Sequence, residues 1–488
     1  MSCDLLHELL PAHVSFPNDT TYATEQLYWS QQQQQTYPKC RFTPVEAHEI
    51  SAALLLIKAT SCQFAVKSGG HASYAGGSNI QDGLTIDLSD LNTLKVASNG
   101  ATVQVGAGNR WEDVYTYLDP LGLAVIGGRN ADIGVGGLTL GGGISFFSNY
   151  YGWALDNVQN YEVIQSTSIL LNCHWANAGR QVVLANGTIV DANVQSHPDL
   201  YFALRGGSNN FGIVTCFALE AFPHGLMWGG TVVYAASAAE ALFNAFYWFN
   251  EKADNDPNAH MWVASAIVPG QGLVFSVSLD YALPHAAPPV FDNFTSIPSI
   301  LSTTRITTLL NLTKEIKSFQ PPGAREIFIT ATFKNDKQLM SDIYDIWHEA
   351  AESAHKRVPS LQPSITFQAV TANVIRRFAR NGGNALGIKP EDGNVMLMVL
   401  AWSWAANDTE ADVDVIDTVQ KIVADSVVLA TSRGLNHRYI YQNYAYISQP
   451  VFDSYGPENK ARLLEIQEKY DPDKVFVDLQ PGYFKLRP

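Results

Sequence analysis

From residue 43 onward, apolar and polar positions alternate between short strand-like runs and longer helical ones. Thr43-Pro44 followed by 46–60 reads as a capped amphipathic helix with Pro44 in its first turn. Short runs at 63–67, 84–87, 101–105 and 123–126 read as strands and 111–118 as a helix, with turn chemistry between them. After about Phe222 the pattern changes. Strand-like runs at 230–234, 261–267, 273–278, 327–332, 364–371 and 395–404 alternate with helices at 238–252, 336–357 and 410–432. That spacing predicts a second α+β domain in which one antiparallel sheet is backed by helices. Near the end, 459–470 reads as a helix stopped by Asp471-Pro472, and the polar run 31–35 reads as the surface of a helix.

Composition narrows the class. With 488 residues, length alone suggests two to four domains. Hydrophobic residues at 46% and charged residues at 16% exclude disordered, collagen-like and coiled-coil chains. Lys plus Arg number 31 against 46 for Asp plus Glu, a formal charge of -15 without a basic patch, which argues against nucleic acid. No stretch of 18 apolar residues occurs, so no membrane span is expected. The first twenty residues do not read as a signal peptide, because His7 and Glu8 interrupt the apolar run 5–10. Asn18, Asn186, Asn293, Asn311 and Asn407 nevertheless head Asn-x-Ser/Thr triplets. The cysteines are Cys3, Cys40, Cys62, Cys173 and Cys216, and none has CxxC spacing, so neither a zinc site nor a thioredoxin-like motif is expected. Two readings stand: buried thiols in a reduced compartment, or a Cys3–Cys40 staple on the N-terminal arm of a secreted protein whose first exon is missing. One segment has no period. Asn186-Gly187 is a two-residue hairpin signal, but 164–182, just before it, reads either as a translated intron or as a surface loop. Sequencing the transcript separates these.

Three glycine-rich stretches carry the candidate chemistry. The first is Lys67-Ser68-Gly69-Gly70-His71, directly after a strand and followed by Gly76-Gly77, where bare main chain can approach a phosphate closely. The second runs from Gly127-Gly128-Arg129 through Val135, Gly136 and Gly137 to Gly141-Gly142-Gly143. Its eight glycines in seventeen residues argue against helix or strand, at a cost of about 1 kcal/mol each relative to Ala. They argue instead for main chain passing close to something flat or charged. The third is 206–215, with Gly212 and Ile213. Neither a complete GxGxxG nor a GxxxxGK[ST] is present, which disfavours an NAD-type Rossmann site and a P-loop. No Gly-x-Ser-x-Gly elbow supports acyl transfer. Asp87 and Asp90 read as turn caps, and Trp402 and Trp404 as either a substrate wall or core.

The runs 66–77, 127–158, 205–215 and 441–486 together resemble the FAD-linked oxidases of the vanillyl-alcohol oxidase/p-cresol methylhydroxylase (PCMH) superfamily. The nearest branch is that of berberine bridge enzyme-like proteins in their fungal oxidoreductase form. The resemblance implies a bipartite PCMH-type FAD-binding domain over 1–222 (with 164–182 as an insertion) and a substrate domain over 223–440. The segment 441–488 would return to the first domain. It implies FAD as cofactor and His71, in the [RK]-x-G-G-H pattern, as its 8α-histidyl attachment. In the Gly-x-x-Cys-Asp-Asn pattern of bicovalent members, Gly152 is followed by Leu155 where the cysteine stands, so a single covalent link is expected. Val135 resembles a small gatekeeper for O2 beside the flavin. In the tail, Tyr441, Asn443 and Tyr444 match Tyr-x-Asn-Tyr-x-Asp, with Tyr446 in place of the Asp. Tyr441 is the first candidate for the catalytic base and Tyr444 the second, with Asn443 orienting the flavin or a tyrosine. The activity implied is oxidation of an alcohol, phenol or amine carbon of a natural-product intermediate, with electrons passed to O2. The alternatives are a carbohydrate oxidase of the same branch and a secreted flavin-binding glycoprotein with little turnover. The expected partners are a small-molecule substrate and O2, with no metal, nucleic acid or membrane, and the chain is expected to be a monomer.

Overall fold

The computed structural model describes residues 2–160, 182–252 and 256–488. The segment 164–182 lies outside the described residues except for its last position. Two hydrophobic cores organise the rest. The first gathers the N-terminal lobe around three small sheets. Cys40–Phe42, Leu84–Asp87 and Phe64–Lys67 run parallel, with Val14–Ser15 antiparallel at the edge. Thr102–Gly106 and Leu123–Val125 flank Cys216–Pro223 in the second sheet. Ile189–Val190 and Ile213–Val214 flank Val182–Val183 in the third. A hairpin forms at Asn186-Gly187, but with a three-residue loop, 185–187, in place of the two-residue turn expected: Leu184 N–H donates to Thr188 O (2.9 Å), and Gly187 takes φ +79°.

The helix Ala47–Thr60 begins later than the Thr43-Pro44 signal suggests. Thr43 Oγ1 instead donates to Glu25 (2.5 Å), and the Glu49 carboxylate turns back to accept the Val45 N–H (2.8 Å). Its apolar stripe, Ile50, Ala53, Leu54 and Ile57, is fully buried. Cys3 and Cys40 form a disulfide with a Cα–Cα distance of 5.9 Å, tying the N-terminal helix Ser2–Leu9 to the parallel sheet. This settles the cysteine alternatives in favour of the staple. Cys62 is a free thiol. A Cys3→Ser, Cys40→Ser variant is expected to lose about 3–4 kcal/mol of stability, the chain-entropy value for such a loop. Chemical denaturation with and without reductant measures it.

The second core forms on one face of a nine-stranded antiparallel sheet. Six of its strands are Met227–Ala235, Gly272–Tyr281, Ala259–Val268, Ser364–Val370, Val395–Trp404 and Arg325–Lys334, in that spatial order. The period of two sorts the faces. Val263, Phe367, Met398 and Ala331 stand in register and bury against helices Ala239–Lys252, Lys337–Arg357 and Asp412–Ser432. On the opposite face the register row is Trp262, Gln368, Leu397 and Thr332, and Leu397 packs into the first core. Asp336 caps its helix, accepting the Leu339 N–H at 2.7 Å. Trp402 and Trp404 are core residues. Tail residues Tyr439, Tyr441, Phe476, Phe484 and Leu486 join the first core, not the second.

The glutamine run is not a solvated face. Gln31–Gln34 is a short helix and Gln33 is fully buried. The side-chain amides of this region act as surrogate strands along the outer edge of Arg325–Lys334. Gln32 donates to the Glu326 carbonyl (2.9 Å) and accepts its N–H (3.1 Å). Ser73 Oγ accepts from Phe328 N (3.2 Å), and Gln449 brackets Thr330 in the same manner as Gln32 (3.1 and 2.7 Å). An otherwise open edge is thereby satisfied.

Candidate active site

The strand Phe64–Lys67 delivers the first glycine loop. Lys67 is buried and its ammonium is already engaged, donating to Asp87 (2.9 Å) and to the Glu25 carbonyl (2.8 Å). Asp87 caps its turn as expected, accepting the Ser89 N–H (3.2 Å), and it also lies 4.0 Å from buried Arg41, so it is a buried ion-pair partner as well. Ser68 Oγ donates to Ala107 O (2.6 Å) and accepts the Gly136 N–H (3.2 Å). A Cβ on Gly69 would sit 2.4 Å from Gly134 Cα, so the first and second glycine stretches touch main chain to main chain. Gly70 (φ +68°) and Gly76 (φ +79°) hold left-handed turns. Gly77 packs on Ala72.

The second stretch corrects one expectation. Val135–Gly141 is helical despite its glycines. The glycine density is explained by close approach: a Cβ on Gly127 or Gly128 would collide with the Trp111 indole, on Gly141 with Asn443, and on Gly142 with Tyr441. Gly137 differs: outside its own helix, no atom of the described residues lies within 4 Å of where its Cβ would be. Gly206 N–H donates to Leu140 O (3.0 Å), anchoring the third stretch to this helix, while Gly212 precedes the short strand Ile213–Val214. Leu155 is core, and no cysteine stands beside Gly152.

His71 ends the first loop. Its Nε2 is buried and has no hydrogen-bond partner among the described residues, and burial lowers its pKa to about 4, so the imidazole is neutral at ordinary pH. Thr139 Oγ1 and both amide atoms of Gln442, all buried, also lack partners there. Unpaired buried polar atoms are costly unless a bound group completes them. This set and the bare main chain at Gly137 fit a large polar cofactor with a flat ring.

Next to Leu155, Asp156 is fully buried and receives the Trp153 N–H (2.9 Å) and the Asn384 amide (2.8 Å). Burial raises its pKa from 3.8 to about 7. A carboxyl whose folded pKa lies above its unfolded one adds stability below the unfolded value and loses that contribution as pH rises through the folded one. Asp156→Asn, which keeps the shape, is therefore expected to melt at a higher temperature than the parent at pH 8. The gap should close toward pH 4.

The tail brings two tyrosines to the glycine helix in different roles. Tyr441 Oη accepts from Gly143 N (3.0 Å), Ile144 N (3.3 Å) and Asn443 Nδ2 (3.1 Å). Asn443 also donates to Leu138 O at 3.0 Å. Burial raises the Tyr441 O–H well above its ordinary range. Tyr444 Oη instead accepts from the Arg129 guanidinium (2.7 Å) and the Gln368 amide (3.3 Å). Arg129 also donates to Gln368 Oε1 (2.7 Å), lies 3.5 Å from His260 Nε2 and stacks over Trp262, 4.7 Å from the ring centre. Burial, with Arg129 adding to it, pushes His260 well down, so that ring is neutral. Burial raises Asp280, 4.0 Å from His260, to about 8. Sequence reasoning gave no role to Arg129, Gln368, Trp262 or His260. The signal available was Gln368, a lone polar residue in an apolar strand at the register of Trp262. Among the described residues no cluster of His, Cys, Asp and Glu could hold a metal ion, and no helix is long and apolar enough to cross a membrane.

Comparisons with known proteins point to an FAD-dependent oxidoreductase. Residues 38–174 match the family model of an FAD binding domain. The chain is 36% identical to the FAD-dependent monooxygenase tpcD of Cochliobolus heterostrophus, over 94% of this chain and 87% of that protein. Among solved structures it resembles the xylooligosaccharide oxidase of Myceliophthora thermophila in complex with xylobiose (TM-score 0.77, 20% identity, 100% of both chains). It also resembles the wild-type berberine bridge enzyme-like protein 1 of Physcomitrella patens (TM-score 0.77, 18% identity, 100% of both chains).

Proposed function

This chain belongs to the FAD-dependent oxidoreductases and shares the fold of a berberine bridge enzyme-like protein, and on that premise we propose that it oxidises an alcohol, phenol or amine carbon of a small natural-product intermediate, passing the electrons to O2 and giving H2O2. The division into 1–222, 223–440 and 441–488 belongs to the same reading, with the site between glycine helix and sheet. FAD, when bound, supplies the two-electron acceptor for substrate hydride and the route to O2. Ser68, Gly69, Gly70, Gly76, Gly77, Gly136 and Gly137 would give it main-chain contact, and His71 would hold it by a single bond to the 8α-methyl.

The observation that carries the reading is the Arg129–Tyr444 pair, at 2.7 Å, beside Trp262 and Gln368 on the sheet face opposite the helices. The guanidinium on its oxygen supports Tyr444, ahead of Tyr441, as the base that takes the substrate's O–H or N–H proton. The Tyr441 oxygen is filled by three N–H donors, and it serves to orient the main chain at Gly143. Val135, buried at the start of the glycine helix, keeps that approach small enough for O2.

A peroxide-coupled assay over alcohols, phenols, amines and oligosaccharides tests this. Peroxide from small aromatic or allylic alcohols supports the reading, and peroxide from oligosaccharides alone replaces it with a carbohydrate oxidase. Flavin reduction without peroxide points to monooxygenation or another electron acceptor, and no reduction by any substrate to a binding protein. The Cys3–Cys40 bond and the exposure of all five Asn-x-Ser/Thr asparagines support passage through the secretory pathway. A mass shift on glycosidase treatment checks that.

A further inference from the structure

The segment Trp29 to Gln33 closes on His71 from both sides of its main chain and across its ring. The Trp29 indole stacks on the imidazole with centroids 4.0 Å apart and planes 11° apart. Ser30 Oγ donates to the Ala72 carbonyl at 2.8 Å. The Gln33 amide donates to the carbonyls of Gly70 (3.3 Å) and Ala72 (3.1 Å), the two residues that flank His71. Its oxygen accepts from Ser78 N (2.7 Å) and Ser78 Oγ (2.9 Å), and the residue is fully buried.

The clasp is held in turn by the second lobe. The Trp29 indole N–H donates to Gln320 O (3.2 Å), its carbonyl accepts the Gly323 N–H (2.8 Å), and Gln31 N–H donates to Ala324 O (2.8 Å). Phe328, at the edge of the large sheet, meets the same indole edge-on at 5.6 Å. Ring plane, main-chain direction and lobe position are thus fixed together at an imidazole whose buried Nε2 has no hydrogen-bond partner among the described residues.

We propose that Trp29 is a positioning residue for flavin attachment, holding the His71 imidazole in the single orientation from which the bond to the cofactor forms. The proposal rests on the reading of His71 as the attachment residue. In that step a C–H bond of the 8α-methyl is replaced by a C–N bond to His71. The methyl hydrogen and the imidazole N–H hydrogen leave with two electrons, and dioxygen takes both to give H2O2. Trp29 exchanges no atoms. It removes the ring rotation that would turn the reacting nitrogen away.

The test compares the parent, His71→Ala, Trp29→Leu and Trp29→Phe as purified full-length proteins. Measured for each are total FAD, the fraction retained by the polypeptide after acid precipitation, the adduct on the His71 peptide by mass spectrometry, and thermal stability. Trp29→Leu is expected to lower the retained fraction by about tenfold or more while still binding dissociable FAD, and Trp29→Phe to keep most of it. Retention in Trp29→Leu equal to the parent, with none in His71→Ala, overturns the proposal. A parent that releases all its flavin overturns the reading of His71, and this proposal with it. Should Trp29→Leu not fold, Trp29→Met takes its place beside Trp29→Phe. Equal retention by those two removes the aromatic face as the cause and overturns the proposal.

Discussion

Tyr444→Phe is expected to lower kcat by about 10²–10⁴-fold, the range for losing a positioned base, while the flavin stays bound. The phenol ring packs edge-on against Tyr441 and Phe328, and phenylalanine preserves both contacts. Only the oxygen that receives Arg129 and Gln368 is removed. Arg129→Met removes the donor that holds the Tyr444 oxygen and should lower kcat in the same direction as Tyr444→Phe, with the flavin still bound. Tyr441→Phe should cost less, acting through the Gly143 main chain. A larger loss of kcat in Tyr441→Phe than in Tyr444→Phe reverses the assignment.

His71→Ala is expected to remove every covalent flavin and to lower turnover by about tenfold or more, because a ring link to the protein tunes the cofactor's electronics and fixes its reactive atoms. The variant should bind FAD weakly and reversibly. The fold itself should tolerate the change: burial disfavours a charged imidazole at this position, and the Nε2 that is lost makes no hydrogen bond among the described residues. Comparing the melting temperature of parent and variant after excess FAD is added separates the lost bond from damage to the lobe. Full turnover with tightly held flavin in the variant would place the attachment elsewhere.

Regular elements were legible where one period governs a long run. The strand Val395–Trp404 has the bounds that its apolar run suggests, and Met227–Ala235 extends the shorter run 230–234 back past Gly229, which separates the buried Met227 and Trp228 from that run. The site was legible where a motif is contiguous, as in the loop to His71. It was not legible where function arises from residues far apart in the chain. Arg129, Gln368 and Tyr444 meet across more than 300 residues, and nothing local to any of them marks the pairing. Gln33 reads as one more polar residue in a repetitive run, yet its amide brackets the His71 main chain. The second glycine stretch was read as bare because something flat must approach it. Much of the approach proves to be by other parts of the chain: Gly69 at Gly134, the Trp111 indole at Gly127 and Gly128, and the tail at Gly141 and Gly142. Glycine density reports closeness without naming the neighbour.

The most direct measurement is proteolysis of acid-denatured protein followed by mass spectrometry of the fragment containing His71. A yellow polypeptide whose His71 fragment carries the mass of one FAD, with the Gly152–Asn157 fragment unmodified, is the expected result. Colourless protein with all flavin in the supernatant, or an adduct on any residue other than His71, contradicts the account.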